Sequence, residues 1–173
     1  MIKLTTILES FSDYKIYCDM DGVLVDFKKG YQNLTGEKAG APKIGKEREE
    51  FWKGFKVSLA DKQMTETQYW AGLPWMSDGK QLWNYIKKHS PTILSAPSHS
   101  DESKIGKKIW IKREIGNIPT ILSYEKGKYA HQNGVLIDDR KDFIDKWVNG
   151  GGIGILHTST SNTIKELKKL GIF

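Results

Sequence analysis

Two carboxylates stand one residue apart in "KIYCDMDGVLVDF", residues 15–27, where Asp19 and Asp21 follow an apolar run and precede Gly22. A second acidic pair, Asp138 and Asp139, closes the apolar run of "GVLID" at residues 134–138. A carboxylate can attack phosphorus and carry the phosphoryl group as an acyl phosphate. A second carboxyl within reach can pass a proton to the leaving group and later take one from water. Acids gathered at one place repel one another unless a hard cation joins them. Mg²⁺ accepts carboxylate and carbonyl oxygens and keeps positions for phosphate oxygens. The types and spacing therefore point to metal-assisted phosphoryl chemistry, with Asp19 aimed at phosphorus and Asp21, one step further round the turn at Gly22, at the leaving oxygen.

Such chemistry needs a scaffold that brings distant residues to one edge, and the chain reads as one. Short apolar runs bounded by Gly, Pro or polar residues recur at 15–19, 91–95, 119–124, 134–138 and 151–157, each a strand candidate. Helical stretches lie between them. Residues 78–89 carry Leu82, Tyr85 and Ile86 on one face behind Ser77 or Asp78 as N-cap. Residues 101–115 place Ile105 and Ile109 four apart, with Gly116 as a stop. Residues 141–148 gather Phe143, Ile144, Trp147 and Val148, and "TIKE" offers a capping box of Thr163 and Glu166 for the last helix. Alternating strands and helices predict an α/β fold, a Rossmann-like parallel sheet flanked by helices. In such a sheet the C-terminal strand ends share one edge, which would unite Asp19, Ser95, Asp138 and Asp139.

One interval breaks the alternation. Residues 28–87 separate the first strand from the second, far more than the roughly dozen residues of a minimal crossover. They are rich in aromatics and helix formers, and read as a small helical cap inserted after the first strand. The expected division is an α/β core of 1–27 and 88–173 with a cap of 28–87, placed to act as a lid. Leu4, Ile7, Leu8 and Phe11 at the start follow the spacing of a short amphipathic helix.

Composition narrows the classes. The chain has 173 residues, enough for one domain with a buried core. Its single cysteine, Cys18, excludes an internal disulfide framework and a cysteine-based zinc site, and fits a reducing, cytoplasmic setting. No run approaches the roughly 18 apolar residues that a membrane helix requires. The formal charge of +6 favours an anionic partner, a phosphate ester or a nucleic acid, although the lysines are scattered and not gathered in one block. A purely nucleic-acid-binding role gains nothing from acids clustered near a polyanion.

The acids also carry a resemblance. "DMDGVLVDF" resembles the first motif of the haloacid dehalogenase-like (HAD) phosphohydrolases, "LSAPS" their second and "LIDDR" their fourth, in the same order, over a framework from about residue 15 to 157. Within that superfamily the chain is similar to the 5'(3')-deoxyribonucleotidases, through "DGVLVDF", the short helical cap and "ILSYEK" before the last motif. The resemblance implies an HAD-like fold and Mg²⁺-dependent hydrolysis of a nucleoside monophosphate. It implies that Asp19 is the nucleophile and Asp21 the acid/base, with Asp19, Asp21 (through its backbone carbonyl) and Asp139 as metal ligands. Asp138 is a ligand or a partner behind the ligands. Ser95 with Ala96 would hold a phosphate oxygen, Lys126 would neutralise the nucleophile and phosphoryl group, and Phe27 would pack on the base.

Plainer roles compete for several of these residues. Asp138 and Asp139 can cap the following helix, and Ser95 can be a turn serine. Lys107, Lys108, Lys112 and Lys128 compete with Lys126, and Phe27 can belong to the core. Trp52, Trp70 and Trp75 read as the inserted segment's own core. His99 and His131 have no partner at metal-ligand spacing.

Overall fold

The computed structural model describes residues 14–38 and 45–173. The N-terminal helix expected around Leu4 to Phe11 lies outside the described residues. Five parallel strands form one sheet in the order β3-β2-β1-β4-β5. They are β1 (Lys15–Cys18), β2 (Thr92–Ser95), β3 (Thr120–Leu122), β4 (Gly134–Asp138) and β5 (Ile153–Leu156). Every residue of β2 and β4 is buried, as continuous apolar runs in a parallel sheet covered on both faces should be. The predicted α/β class and all five strands are present.

β1 lies at the centre, bonded to β2 on one side and β4 on the other. Cys18 pairs with Ile93 of β2 and Ile137 of β4, so the next residue, Asp19, stands level with the ends of both neighbours. The chain runs outward from β1 through β2 to β3, then returns to the other side of β1 as β4. That reversal is where open α/β sheets form a ligand crevice at the strands' C-terminal edge.

The inserted interval forms α1 (Phe27–Thr35), α2 (Lys46–Asp61) and α3 (Glu66–Ala71), followed by α4 (Gly79–Ile86) and a 3-10 turn at Lys87–His89. The sheet helices are α5 (Asp101–Glu114), α6 (Lys141–Asn149) and α7 (Thr160–Lys169). Phe55, Tyr69 and Trp70 of the insertion are buried in the same apolar core as Ile16, Cys18 and Ile93 of the sheet. α4 packs toward α7: Tyr85 Oη donates to the carbonyl of Ile172, and Asp78 accepts from the Thr160 amide. Asp78 is the N-cap by position, but its carboxylate serves Thr160 and not its own helix.

Two helical expectations are corrected. α7 begins at Thr160 behind Ser159, whose side chain accepts from the Asn162 amide. Thr163 is therefore inside the helix, hydrogen-bonded to His157 Nδ1 at 2.8 Å, and makes no capping box. In α5 the buried face is Ser103, Gly106, Lys107, Trp110 and Ile111, while Ile105 and Ile109 are 52% and 44% exposed. The polarity of this helix is turned round because its inner face meets α3 and the site. A Cβ on Gly106 would stand 2.5 Å from Trp70 Cβ, so only glycine permits that approach.

Candidate active site

Asp19, the residue after β1, is 4% exposed, and its amide is held by the carbonyl of Ile137. The chain then turns at once: Val23, Leu24 and Val25 all return their amides to the carbonyl of Met20. Gly22 sits in this turn at φ +80°, where side-chain-bearing residues are strained. A Cβ there would fall 2.2 Å from Asp139 Oδ2. Glycine is thus what lets the acid after β4 close against the loop after β1. Carboxylate oxygens of Asp19, Asp138 and Asp139 come within 4.8 Å of one another. The expected convergence is present.

Two buried lysines answer the acids of this edge, one pairing with Asp19 and Asp138 and the other with Asp21. Lys126, in a 3-10 turn after β3, lies 2.5 Å from Asp138 Oδ2 and 2.9 Å from Asp19 Oδ1. The first contact is a hydrogen bond; the second is an ion pair whose angle leaves Asp19 Oδ1 without a hydrogen-bond donor. Phe143 covers the ammonium with its ring, 4.6 Å from the centroid. Lys107, on α5, lies 2.5 Å from Asp21 Oδ2 and 3.4 Å from Ser95 Oγ, over the Trp70 ring at 5.2 Å. Both ammonium groups are fully buried.

The charges do not balance. Burial alone would lower the Lys126 pKa, but the Asp19 and Asp138 carboxylates raise it further, so this lysine stays charged. Asp138 is nonetheless pushed above the usual carboxylate range by burial and by Asp19, against the pull of Lys126. Asp139 rises to about 6 through burial of its carboxyl and repulsion from Asp19 and Asp21, although the residue as a whole is exposed. Asp21 is raised by burial against Lys107. Four acids facing two ammonium groups carry a formal charge of −2, which one divalent cation would neutralise.

The donor set fits such an ion unevenly. Asp138 has both oxygens engaged, Oδ2 by Lys126 and Oδ1 by the Arg140 amide at 2.9 Å. Asp139 has no hydrogen-bond or ion-pair partner among the described residues, and Asp19 Oδ1 and Asp21 Oδ1 are buried without a hydrogen bond. Hard oxygen ligands with unused lone pairs are what Mg²⁺ requires.

No family model matches the chain, and no curated protein matches it in sequence. Solved structures do resemble it. An HAD family hydrolase from Deinococcus radiodurans, solved with bound phosphate and sodium, aligns with TM-score 0.55 at 13% identity, over 94% of this chain and 98% of that one. A hydrolase from Streptococcus pneumoniae aligns with TM-score 0.54 at 16% identity, over 90% of this chain and 99% of that one. A haloacid dehalogenase-like family hydrolase from the same organism gives 0.53 at 13% identity, over 88% and 90%. The fold is HAD-like.

On this HAD-like sheet the other expected residues fall as follows. Ser95 is buried at the end of β2, facing Lys107, and Ala96 is half-buried in the loop beyond it. Phe27 opens α1, half-buried, its ring stacked on Trp70 at 5.5 Å and 20°. It therefore belongs to the aromatic core. Of the competing lysines, Lys108 and Lys112 are exposed, and Lys128 pairs with Glu125 at the surface. Lys107 is the residue the sequence reading named only as a rival. Its signal was the spacing Ser103, Gly106, Lys107, Trp110, a helical face whose glycine marks close packing and whose lysine must therefore be paired.

Proposed function

We propose that the chain is a Mg²⁺-dependent phosphomonoesterase that acts on a small phosphate ester, specifically a nucleoside monophosphate. The observation that carries this reading is the set of four acids and two buried lysines at one strand edge, with its formal −2 charge. The fold it shares with HAD hydrolases supports it, as does the order of the three motifs. The nucleotide is favoured by the resemblance of "DGVLVDF" and "LIDDR" to deoxyribonucleotidases, with the half-buried Phe27 ring, stacked on Trp70, as the surface for the base.

Asp19 attacks phosphorus in line. The bond between phosphorus and the sugar oxygen breaks as the Asp19 Oδ–P bond forms, and Asp21 gives its proton to the departing oxygen. Asp21 then takes a proton from water, which attacks the aspartyl-phosphate at phosphorus and returns Asp19 and inorganic phosphate. Lys126 keeps Asp19 and the phosphoryl oxygens in a field of matching sign, and Ser95 donates to a phosphoryl oxygen. Lys107 holds Asp21 on the leaving-group side. Asp19, Asp139 and the backbone carbonyl of Asp21 would hold Mg²⁺, which supplies charge neutralisation for the phosphoryl group, while Asp138 steadies Lys126. α1 to α3 shield the crevice from bulk water and face the leaving group. A cytoplasmic setting accords with the one free, buried thiol, Cys18.

The test is phosphate release from a panel of nucleoside monophosphates and other phosphorylated metabolites with Mg²⁺, by the wild-type chain and by Asp19→Asn. Turnover that is abolished in the variant is expected. Retained turnover would remove the covalent mechanism, and wild-type activity confined to other esters would remove the nucleotide.

A further inference from the structure

We infer that Glu66, on the first turn of α3, is a positioning residue that sets Lys107 against Asp21. This rests on the phosphomonoesterase reading above. Glu66 gathers three donors on one carboxylate oxygen. Its Oε1 accepts from Trp70 Nε1 at 3.0 Å, from Ser98 Oγ at 3.3 Å and from Ser100 Oγ. Ser100 is the N-cap of α5, and its Oγ in turn accepts from the Ser103 amide at 3.2 Å. One carboxylate thus fixes the indole on α3 and the first turn of α5 together.

Lys107 passes between those two elements. Gly106 brings α5 close against Trp70 Cβ and the carbonyl of Thr67, and the lysine that follows is fully buried. Its ammonium lies 5.2 Å from the centre of the Trp70 ring and ends on Asp21 Oδ2 and Ser95 Oγ. A flat ring beneath a buried cation stabilises it only while the ring stays in place. Removing Glu66 leaves Trp70 Nε1 without its acceptor and unties the Ser100 hydroxyl at the start of α5 from α3, and both changes loosen the contact between the two helices. A displacement of even about 1 Å at a proton-transfer group costs much of its effect.

This geometry has a consequence that a merely stabilising contact lacks. Lys107 touches the acid that protonates the leaving oxygen. Loss of its alignment should slow the first phosphoryl transfer from esters whose alkoxide needs a proton and spare that transfer from an activated ester such as p-nitrophenyl phosphate, whose phenolate leaves without one; water attack on the aspartyl-phosphate is common to both. The experiment compares KM and the single-turnover rate of leaving-group release of wild type, Glu66→Ala and Glu66→Gln on a nucleoside monophosphate and on p-nitrophenyl phosphate, and repeats Glu66→Ala in a Lys107→Met background.

Glu66→Ala should lower the single-turnover rate of nucleoside release about tenfold while changing that of p-nitrophenolate release less than about twofold. Glu66→Gln, which keeps an accepting oxygen, should recover most of the loss. In the Lys107→Met background Glu66→Ala should add less than about twofold, since it acts through the group already removed. Equal losses on both esters, or a full additive loss without Lys107, would overturn the inference while leaving the hydrolase reading intact. Should Glu66→Ala fail to fold, Trp70→Phe removes the same hydrogen bond from its other end and is read against the same outcomes. A wild-type chain inactive on both esters would overturn the hydrolase reading and this inference with it.

Discussion

The β4 side of the crevice and the α5 side each bury a lysine against a carboxylate, yet the two pairs sit in different surroundings. Lys126 meets Asp138, fully buried, and Asp19, whose side chain is 6% exposed. Lys107 meets Asp21, whose side chain is 30% exposed. The first cluster lies behind the nucleophile with no solvent to relieve it, and holds more acid than base. The second opens on the side where a leaving group must enter and depart. A closed cluster suits fixed charge and metal, whereas an open one suits proton exchange with substrate and water. In the proposed mechanism this difference gives the two lysines different roles although their contacts look alike.

The largest effect that separates them should come from Lys126→Met. It leaves Asp138 and Asp19 buried without their cation, a loss of roughly 3–5 kcal/mol, with activity reduced by about 10³-fold. Urea unfolding and phosphate release measure the two. Adding Asp138→Asn to that variant should restore part of the stability and none of the activity. Lys107→Met should be milder in stability, because the Asp21 side chain it leaves behind is 30% exposed, whereas those of Asp19 and Asp138 are 6% and 0% exposed. Its loss in the single-turnover rate of leaving-group release, roughly 10²-fold, should appear on an alkyl phosphate and largely vanish on p-nitrophenyl phosphate. A loss from Lys107→Met that is equal on both esters would erase the proposed division between the sides.

A smaller effect is expected in the pH dependence of the closed side. Asp139 titrates at about 6 in the fold against an ordinary value of 3.8. In the metal-free protein it keeps its proton up to about pH 6, whereas the unfolded chain loses it near pH 4. Stability from this group is therefore present below pH 4 and declines as pH rises toward 6. A cation that requires the ionised form reverses the trend. Mg²⁺ at about 100 times its dissociation constant should raise Tm by roughly 5–10 °C near pH 8 and by little near pH 4.5, where protons compete for Asp139. Asp139→Asn should remove most of that metal-dependent rise. A rise of equal size at both pH values would mean that the ion binds elsewhere.

The same contrast between sides governs what the sequence could disclose. The strand ends were legible because a parallel sheet fixes the register: an acid after each of two apolar runs must reach the same edge, and Asp19 and Asp138 do so across adjacent strands. Gly22 could be read as a turn, but not as the gap that Asp139 fills. Lys126 was reachable through the resemblance of its surrounding residues. Lys107 was not singled out, because the isoleucines of α5 pointed to the opposite face as the buried one. Periodicity assumes that apolar side chains go inward, and that assumption fails where a helix faces a charged site. Ile105 and Ile109 outward, with Lys107 and Ser103 inward, is the form the failure takes. The division of Asp138 from Asp139 was also hidden, since only coordinates show that one acid is occupied by Lys126 and the Arg140 amide while the other is free.

In the proposed mechanism the carboxylate of residue 19 takes the phosphoryl group while residue 21 manages the proton. Rapid acid quenching after mixing with radiolabelled nucleoside monophosphate and Mg²⁺ tests it most directly. Label should be covalently attached to a peptide containing Asp19, should persist longer in Asp21→Asn, and should be absent in Asp19→Asn. Free phosphate released by the wild-type chain with no label ever on that peptide would contradict it.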